Sequence, residues 1–365
     1  MSSSGGGDQW AWLGLLKWSL SYSDGTRPSE ESMTPMSAED KAFLESVMKD
    51  GIIDEGERMK FILKEMADAL DVMKAKSEGD KDIQEKLSED DMEDLLQELR
   101  DIVEQIDYAR AFAAMKGIPF LLGCASERKF VPRSIRAACL GIVATMCQNN
   151  PAVQLQMLEE GSIPKLANIY FAEFPTENKS DEELDEIDGL LRTKAVQALS
   201  ASIRQHATAE DLLCLNEDAC KMIESALGMH GANETLPGPT PIALRKRSLF
   251  FLHALITSDT SSAERVRLFN RSIAYVADNF IDPSTESNSE IREMSISFLD
   301  QILKQKKSVN AVLSRKAFLA GLGVKQISTL RKLEGDEREF AAMELENWES
   351  LMLELARATP DAKTT

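Results

Sequence analysis

Histidine is nearly missing from this chain, with 3 in 365 residues, beside 5 cysteines, 4 tryptophans and 4 tyrosines. Each scarcity excludes something. Histidine is the usual carrier of acid–base chemistry near neutral pH, and His206, His230 and His253 are scattered. Neither Cys214 nor Cys220 has a histidine at ligand spacing, so no metal site is expected. Together with Cys124, Cys139 and Cys147 they make an odd set without framework spacing, which reads as free, mostly buried thiols in a reducing compartment. No apolar run approaches the roughly 18 residues that a membrane span needs. The stretch from Trp10 to Leu20 is interrupted by Lys17 and has neither a basic leader nor a clear cleavage site, so it does not read as a signal peptide. Asp361–Thr365 carries no retention signal. The expected location is the cytoplasm. G-x-G-x-x-G, Walker, H-E-x-x-H and G-x-S-x-G patterns are missing, and Gly321-Leu-Gly323 is too short and follows no strand. No enzyme activity and no cofactor are expected. Basic charge is short too. A net charge of −19 argues against a grip on nucleic acid, leaves room only for a local basic patch, and would steer the molecule toward a basic partner surface.

What is present is helix-forming. Hydrophobic residues make up 43% of the chain, enough for a sizeable core, and Leu, Ala, Glu, Met and Lys dominate without any run of alternating strand residues. Residues 1–36 read as a mobile arm with a short amphipathic segment, ended by turn signals at Gly25 and Pro28. It is either a tail with an adhesive patch or a short recognition element. Residues 37–110 read as an N-terminal helical cap. Ser37–Asp40 and Ser88–Asp91 are capping boxes. A helix is expected from Asp54 to Val72, with Met59, Ile62, Leu63, Met66 and Leu70 on one face. Another is expected after Ser88, with Met92, Leu95, Leu96, Leu99, Ile102, Val103 and Ile106 as its stripe.

Repeats occupy residues 111–304. Lys116-Gly-Ile-Pro is echoed by Glu160-Gly-Ser-Ile-Pro164, and four long helices are expected to start at Ile135-Arg136, Leu191-Arg192, Leu244-Arg245 and Ile291-Arg292, which lie 56, 53 and 47 residues apart. Apolar or small rows follow each start: Ile135, Cys139, Ile142, Met146; Leu191, Ala195, Ala198, Ser202; Leu244, Ser248, Phe251, Leu255; and Ile291, Ser295, Phe298, Ile302. The period exceeds the roughly 40–47 of an armadillo or HEAT unit, and the excess falls in inserts. One spans Thr176–Asp188, with seven carboxylates against one lysine; the others are Gly231–Pro241 and Asp282–Ser289. Each repeated arginine reads either as a scaffold contact, an ion pair or backbone hydrogen bond to the preceding repeat, or as a partner contact. Residues 305–365 read as a terminal cap and tail, with Val309, Val312, Leu313, Phe318 and Leu319 and a last helix over 336–358 carrying Phe340, Met343, Trp348, Met352 and Leu355. The fold expected is therefore all-α, an armadillo/HEAT-like α-solenoid with irregular capping helices and that mobile arm.

Such a solenoid docks partners on its concave side. Positions six, nine and thirteen residues beyond each helix start are expected to share that face: Gly141, Ala144 and Gln148; Gln197, Ser200 and Arg204; Phe250, His253 and Thr257; Ser297, Asp300 and Lys304. From these and the adjoining Asn149, the residues expected to bind a partner are Gln148, Asn149, Gln197, Arg204, His253, Asp300 and Lys304.

Leu15-Leu-Lys-Trp-Ser-Leu-Ser-Tyr-Ser-Asp-Gly-Thr26, the helix Asp91–Ile106 and Ile135-Arg-Ala-Ala with Gln148-Asn-Asn-Pro151 resemble, in the same order, the armadillo-type nucleotide-exchange factors of 70-kDa heat-shock chaperones. This is the HspBP/Fes family, especially its plant-type members. The resemblance covers the N-terminal motif and roughly residues 54–230, with the last two repeats matching in layout. It implies a protein that wraps its concave face around one lobe of the chaperone's ATPase domain, opens the cleft and releases ADP, then client. It implies a factor that binds no nucleotide of its own and makes no covalent bond. From charge and the lack of a long apolar run, no nucleic-acid or membrane partner is expected, and since capped solenoids are often monomers, a monomer is expected. The arm segment with Leu16, Trp18 and Leu20 is the expected client-release motif. The rival readings are a peptide-binding armadillo adaptor, disfavoured because no asparagine and tryptophan ladder recurs, and an assembly scaffold without exchange activity.

Overall fold

A computed structural model describes residues 54–79, 86–173, 187–229, 240–306 and 309–358. The arm with Leu16, Trp18 and Leu20, the capping box at Ser37–Asp40, and most of the inserts at 176–188 and 231–241 lie outside the described residues. Every regular element among the described residues is a helix. The chain divides into two compact units, residues 1–61 and 62–365. Of the first, Asp54–Phe61 are described: they open helix α1 (Glu55–Ser77), where Asp54 accepts the Glu57 amide at 3.1 Å and Lys60 pairs with Glu57 at 2.6 Å.

The second unit is an α-solenoid built in three layers. Its long helices are α2 (Glu89–Val103), α5 (Arg133–Cys147), α8 (Ile187–Ile203), α11 (Ile242–Thr257), α14 (Ser289–Lys304) and α18 (Ala342–Arg357), each packed against the next in that order. Behind them stand α4 (Gly117–Ser126), α7 (Ser162–Ala172), α10 (Glu217–Ala226), α13 (Asn270–Asn279) and α16 (Lys316–Leu330), packed on α5, α8, α11, α14 and α18 respectively. Shorter helices lead into these: α3 (Ile106–Ala114), α6 (Pro151–Glu159), α9 (Ala207–Cys214), α12 (Ala263–Leu268) and α15 (Val309–Leu313). A six-residue helix, α17 (Gly335–Phe340), precedes α18. A unit of three helices, one of them long, is the armadillo pattern.

The four rows read from the sequence are the core of this stack: all sixteen positions, from Ile135 to Ile302, are buried. Each fully buried Leu, Ile or Phe contributes about 1.5–3 kcal/mol relative to exposure, so the rows weld each long helix to the layer behind. Helix starts are set by local chemistry. Ser88 and Asp91 form the reciprocal capping box of α2, Asn216 caps α10 at 2.8 Å and Asn288 caps α14 at 3.0 Å, each worth about 1 kcal/mol. α2 stops at Val103, so Ile106 is not on its stripe; it begins α3 and is exposed.

The echo at Lys116 and Gly161 is a repeated corner. Lys116 (φ 66°) and Gly161 (φ 65°) both take the left-handed conformation just before α4 and α7, which costs a non-glycine residue roughly 1–2 kcal/mol. The residue after it must be small: a Cβ on Gly117 would lie 2.1 Å from the Phe112 ring, and Ser162 is fully buried. The polar stretch before the second corner is also structural. Asn149 (φ 51°) reverses the chain, and buried Asn150 precedes Pro151, whose lack of an N–H is harmless at the first helical position. Gln154 donates to the Ala201 and Arg204 carbonyls at 2.9 and 3.0 Å, and Gln156 to Ala113 at 3.0 Å, satisfying the free ends of α8 and α3.

At the far end Trp348, Leu351 and Leu355 of α18 are buried, as are Val312 and Leu319. Phe340 and Met343 are not part of that core, because the last helical segment breaks at Ala341 into α17 and α18 and turns those side chains outward; Phe318, near the start of α16, is exposed as well, beside buried Leu319.

Candidate functional site

The repeated arginines settle into the scaffold. Buried Arg136 donates to Glu173 at 2.6 Å and to the Ala125 carbonyl at 2.9 Å; Arg245 pairs with Glu286; Arg292 holds both oxygens of Glu344 at 3.1 and 2.9 Å. Arg192 is buried as well. The carboxylates come from downstream in the chain rather than from the preceding repeat, while the expected reach to the preceding backbone is seen at Arg136, on the Ala125 carbonyl. The insert at 282–289 exists in part to deliver Glu286, which is buried and held by Arg245.

The long helices leave one narrow stripe open. Each is flanked by its neighbours in the layer and backed by a second layer, so burial covers roughly 200° of its circumference at 100° per residue. Ala144, Ser200 and Asp300, nine residues beyond their helix starts, fall inside that arc and are buried. The expectation that this row faces outward is therefore corrected at those three positions; His253, the fourth, is half-buried at the edge of the stripe. Asp300 is engaged rather than free: its carboxylate accepts Lys304 at 2.6 Å and Ser350 at 3.0 Å. Gly141 is also covered, with Lys194 Nζ 4.0 Å from where its Cβ would be.

The open stripe runs instead through the positions three and thirteen residues on, joined by Gln197 and Phe250 at six and Thr145 and Gln301 at ten; Gly141 and Ala201 in those two rows are buried. Gln148 and Asn149 are exposed at the end of α5, Gln197 and Arg204 are half-buried on α8, Phe250 is 40% exposed on α11, and Lys304 is exposed on α14. Cross-helix contacts tie the stripe into one surface. Arg100 Nε on α2 donates to Thr145 on α5 at 3.2 Å, the Arg204 guanidinium lies 4.7 Å from the Phe250 ring centroid, and His253 Nε2 meets Gln301 on α14 at 2.8 Å. Burial lowers the His253 pKa below its ordinary value, partly offset by the Gln301 hydrogen bond, so His253 is neutral at physiological pH.

Arg100, Lys194 and Arg247 also line this stripe and were not among the residues expected from the sequence. The row three residues beyond the helix starts, Ala138, Lys194, Arg247 and Met294, was the available signal. Burial first, then the charges of Arg100 and Arg247, push the Lys194 pKa down, and burial and Arg247 do the same to Arg204. The hollows along the stripe are shallow and open. One of about 380 Å³ is lined by Arg100, Gly141 and Lys194, and one of about 470 Å³ by Arg204, Thr257 and Asp259. No cluster of metal-ligating side chains occurs among the described residues, and no described helix is long and apolar enough to cross a membrane. A broad, polar, gently corrugated face of this kind suits a protein surface better than a small ligand.

Comparison with known proteins agrees in kind. The sequence model of the family described as nucleotide exchange factor Fes1 matches residues 13–112. Hsp70 nucleotide exchange factor FES1 of Gibberella zeae is 28% identical over 205 residues, 54% of this chain and 79% of that protein. Hsp70-binding protein 1 of Mus musculus is 29% identical over 195 residues, 53% of this chain and 48% of that protein, so the chain spans about half the length of the mouse relative. A designed armadillo repeat protein aligns over 79% of the chain at 10% identity with a TM-score of 0.44, too low to add to the helix order already described. The chain is thus similar to the Fes1 and Hsp70-binding protein 1 family of exchange factors at large, and a plant-type subgroup is a finer distinction than these matches draw.

Proposed function

We propose that this protein is a co-chaperone that docks the open stripe of its long helices on the ATPase domain of a cytosolic 70-kDa heat-shock chaperone, opens the nucleotide cleft and speeds release of ADP, then of client. The observation that carries the reading is an open, polar stripe running from α2 to α14 across successive long helices, in a chain similar to Fes1 and Hsp70-binding protein 1. Physically the protein is a ligand with higher affinity for the open state of its partner. It needs no covalent step and no nucleotide of its own, since binding one conformation better shifts the population toward it. By linkage, ADP in the chaperone weakens the complex by the same factor as the complex weakens ADP.

The test is displacement of fluorescent ADP from a preloaded cytosolic 70-kDa chaperone. Addition of this protein accelerates release in proportion to its concentration until saturation. An unchanged release rate across several such chaperones overturns the exchange reading, and binding without acceleration leaves an assembly scaffold. The arm carries a separate proposal: removing residues 1–28, with Leu16, Trp18 and Leu20, leaves ADP release intact and slows client release. Equal client-release rates with and without the arm defeat it.

A further inference from the structure

The chain carries a net charge of −19, yet four cations crowd its docking stripe. Arg100 and Lys194 line one hollow, the Arg100 side chain crossing to Thr145 and the Lys194 ammonium lying over Gly141. Arg204 stacks on Phe250 and its buried Nε finds no hydrogen-bond partner among the described residues. Arg247 stands exposed on α11, one turn before Phe250. None of the four makes an ion pair among the described residues, although ion pairs are common elsewhere in the unit. Carboxylates do stand at the edges of the hollows, Glu93 and Asp94 at the α2 end and Asp259 at the other, and they too leave the row unpaired.

We infer that this row, Arg100–Lys194–Arg247–Arg204, is the specificity element of the docking face and that it recognises a strip of carboxylates on the surface of a folded protein domain. The inference rests on the proposed function for the identity of that domain, the chaperone's ATPase domain, but not for its charge. It reverses what net charge alone suggests, since an acidic molecule would be steered to a basic surface while this face is cationic. The uncompensated repulsion within the row is relieved only when carboxylates arrive. Burial has already taken Lys194 and Arg204 partly out of water, so less of their own desolvation is left to oppose the pairing. Arg204 over Phe250 supplies the aromatic and arginine pair typical of an interface anchor. Nucleic acid is the less fitting polyanion, because its charge is repelled by the rest of the molecule beyond these four cations.

The experiment measures association of the full chain with the ATPase domain of a cytosolic 70-kDa chaperone by stopped flow between 50 and 300 mM salt. It compares wild type, Lys194→Glu/Arg247→Glu and the milder Lys194→Gln/Arg247→Gln, each checked for an unchanged melting curve. The expected result is a wild-type rate that falls with salt, and a charge-reversed rate about tenfold or more slower at 50 mM with a flatter salt dependence. The neutral pair lies between them and stands in for the reversed pair if that one does not fold. Variant rates within twofold of wild type, with the same salt slope, overturn the inference while leaving exchange activity standing. A second arm uses a fluorescent polyglutamate peptide and a single-stranded DNA of equal charge at 50 mM salt. If wild type proves inactive on the chaperone, binding of the peptide that is lost in the Lys194→Glu/Arg247→Glu variant sustains the inference without the proposed function. No peptide binding in that case, or DNA bound more tightly than peptide through the same residues, overturns it.

Discussion

Replacing Arg136 by methionine removes the charge of a buried side chain and leaves its partner stranded, since Arg136 is 2% and Glu173 4% exposed. Two bonds go: the 2.6 Å contact to Glu173, and the 2.9 Å donation to the Ala125 carbonyl that closes the end of α4. Breaking a buried pair from one side costs about 3–5 kcal/mol, because the remaining charge stays desolvated. Glu173 keeps one other cation, Arg128 at 3.3 Å, which is half exposed and so compensates weakly. The expected loss for Arg136→Met is therefore near the lower end, about 3 kcal/mol. Replacing both partners, Arg136→Met with Glu173→Leu, removes the orphan charge and restores stability to within about 1 kcal/mol of wild type. Urea denaturation followed by far-ultraviolet circular dichroism measures all three proteins and closes the double-mutant cycle. A single substitution costing under 1 kcal/mol, or a double variant no more stable than Arg136→Met, would show that the pair is not the clamp between α4, α5 and α7 that its geometry indicates.

Three further outcomes follow from other sites. Gly117→Ala places a methyl 2.1 Å from the Phe112 ring and should cost about 1–3 kcal/mol, whereas Gly123→Ala in the same helix meets nothing within 4 Å and should gain about 0.5–1 kcal/mol; paired thermal melts read the contrast. His253 is held below its ordinary 6.5 by burial, so as pH falls the unfolded chain takes the proton first. Its stabilising neutral form is fully retained above 6.5 and stability declines from there toward the lower folded value. His253→Gln should flatten the loss of melting temperature between pH 7 and pH 5, and parallel curves for the two proteins would refute that assignment. Phe250→Ala, at a 40% exposed position under Arg204, should leave the melting curve within about 0.5 kcal/mol and weaken chaperone binding by about 1–2 kcal/mol, five- to thirtyfold in Kd, as read by titration in the ADP-release assay.

The helical layers and their core were legible before any coordinates, because helix periodicity is local. Ile291, Ser295, Phe298 and Ile302 are close enough in the chain that their spacing alone puts them on one side of a cylinder, and all four are buried. The capping box at Ser88 and Asp91 is local for the same reason. The arginine that follows each helix start was also visible, though its partner was not. Glu173 lies 37 residues beyond Arg136, Glu286 lies 41 beyond Arg245, and Glu344 lies 52 beyond Arg292. No spacing rule connects such pairs; they meet because successive repeats stack.

The open stripe shows the same division. Sequence alone determined that four long helices repeat, that one side of each is apolar, and that Gln148, Gln197, Arg204 and Lys304 lie on the other side. It could not say how wide the buried arc is, because that depends on neighbours packed against both flanks. Those neighbours bury Ala144, Ser200 and Asp300 and leave a stripe only a few residues across. Tertiary structure alone decided that Arg100 on α2, Lys194 and Arg204 on α8 and Arg247 on α11 share that stripe, since cations nearly 150 positions apart in the chain become neighbours only through the stacking of one helix on the next. The net charge is a sum over the whole chain, and a sum carries no information about where an acidic molecule keeps its few unpaired positive charges.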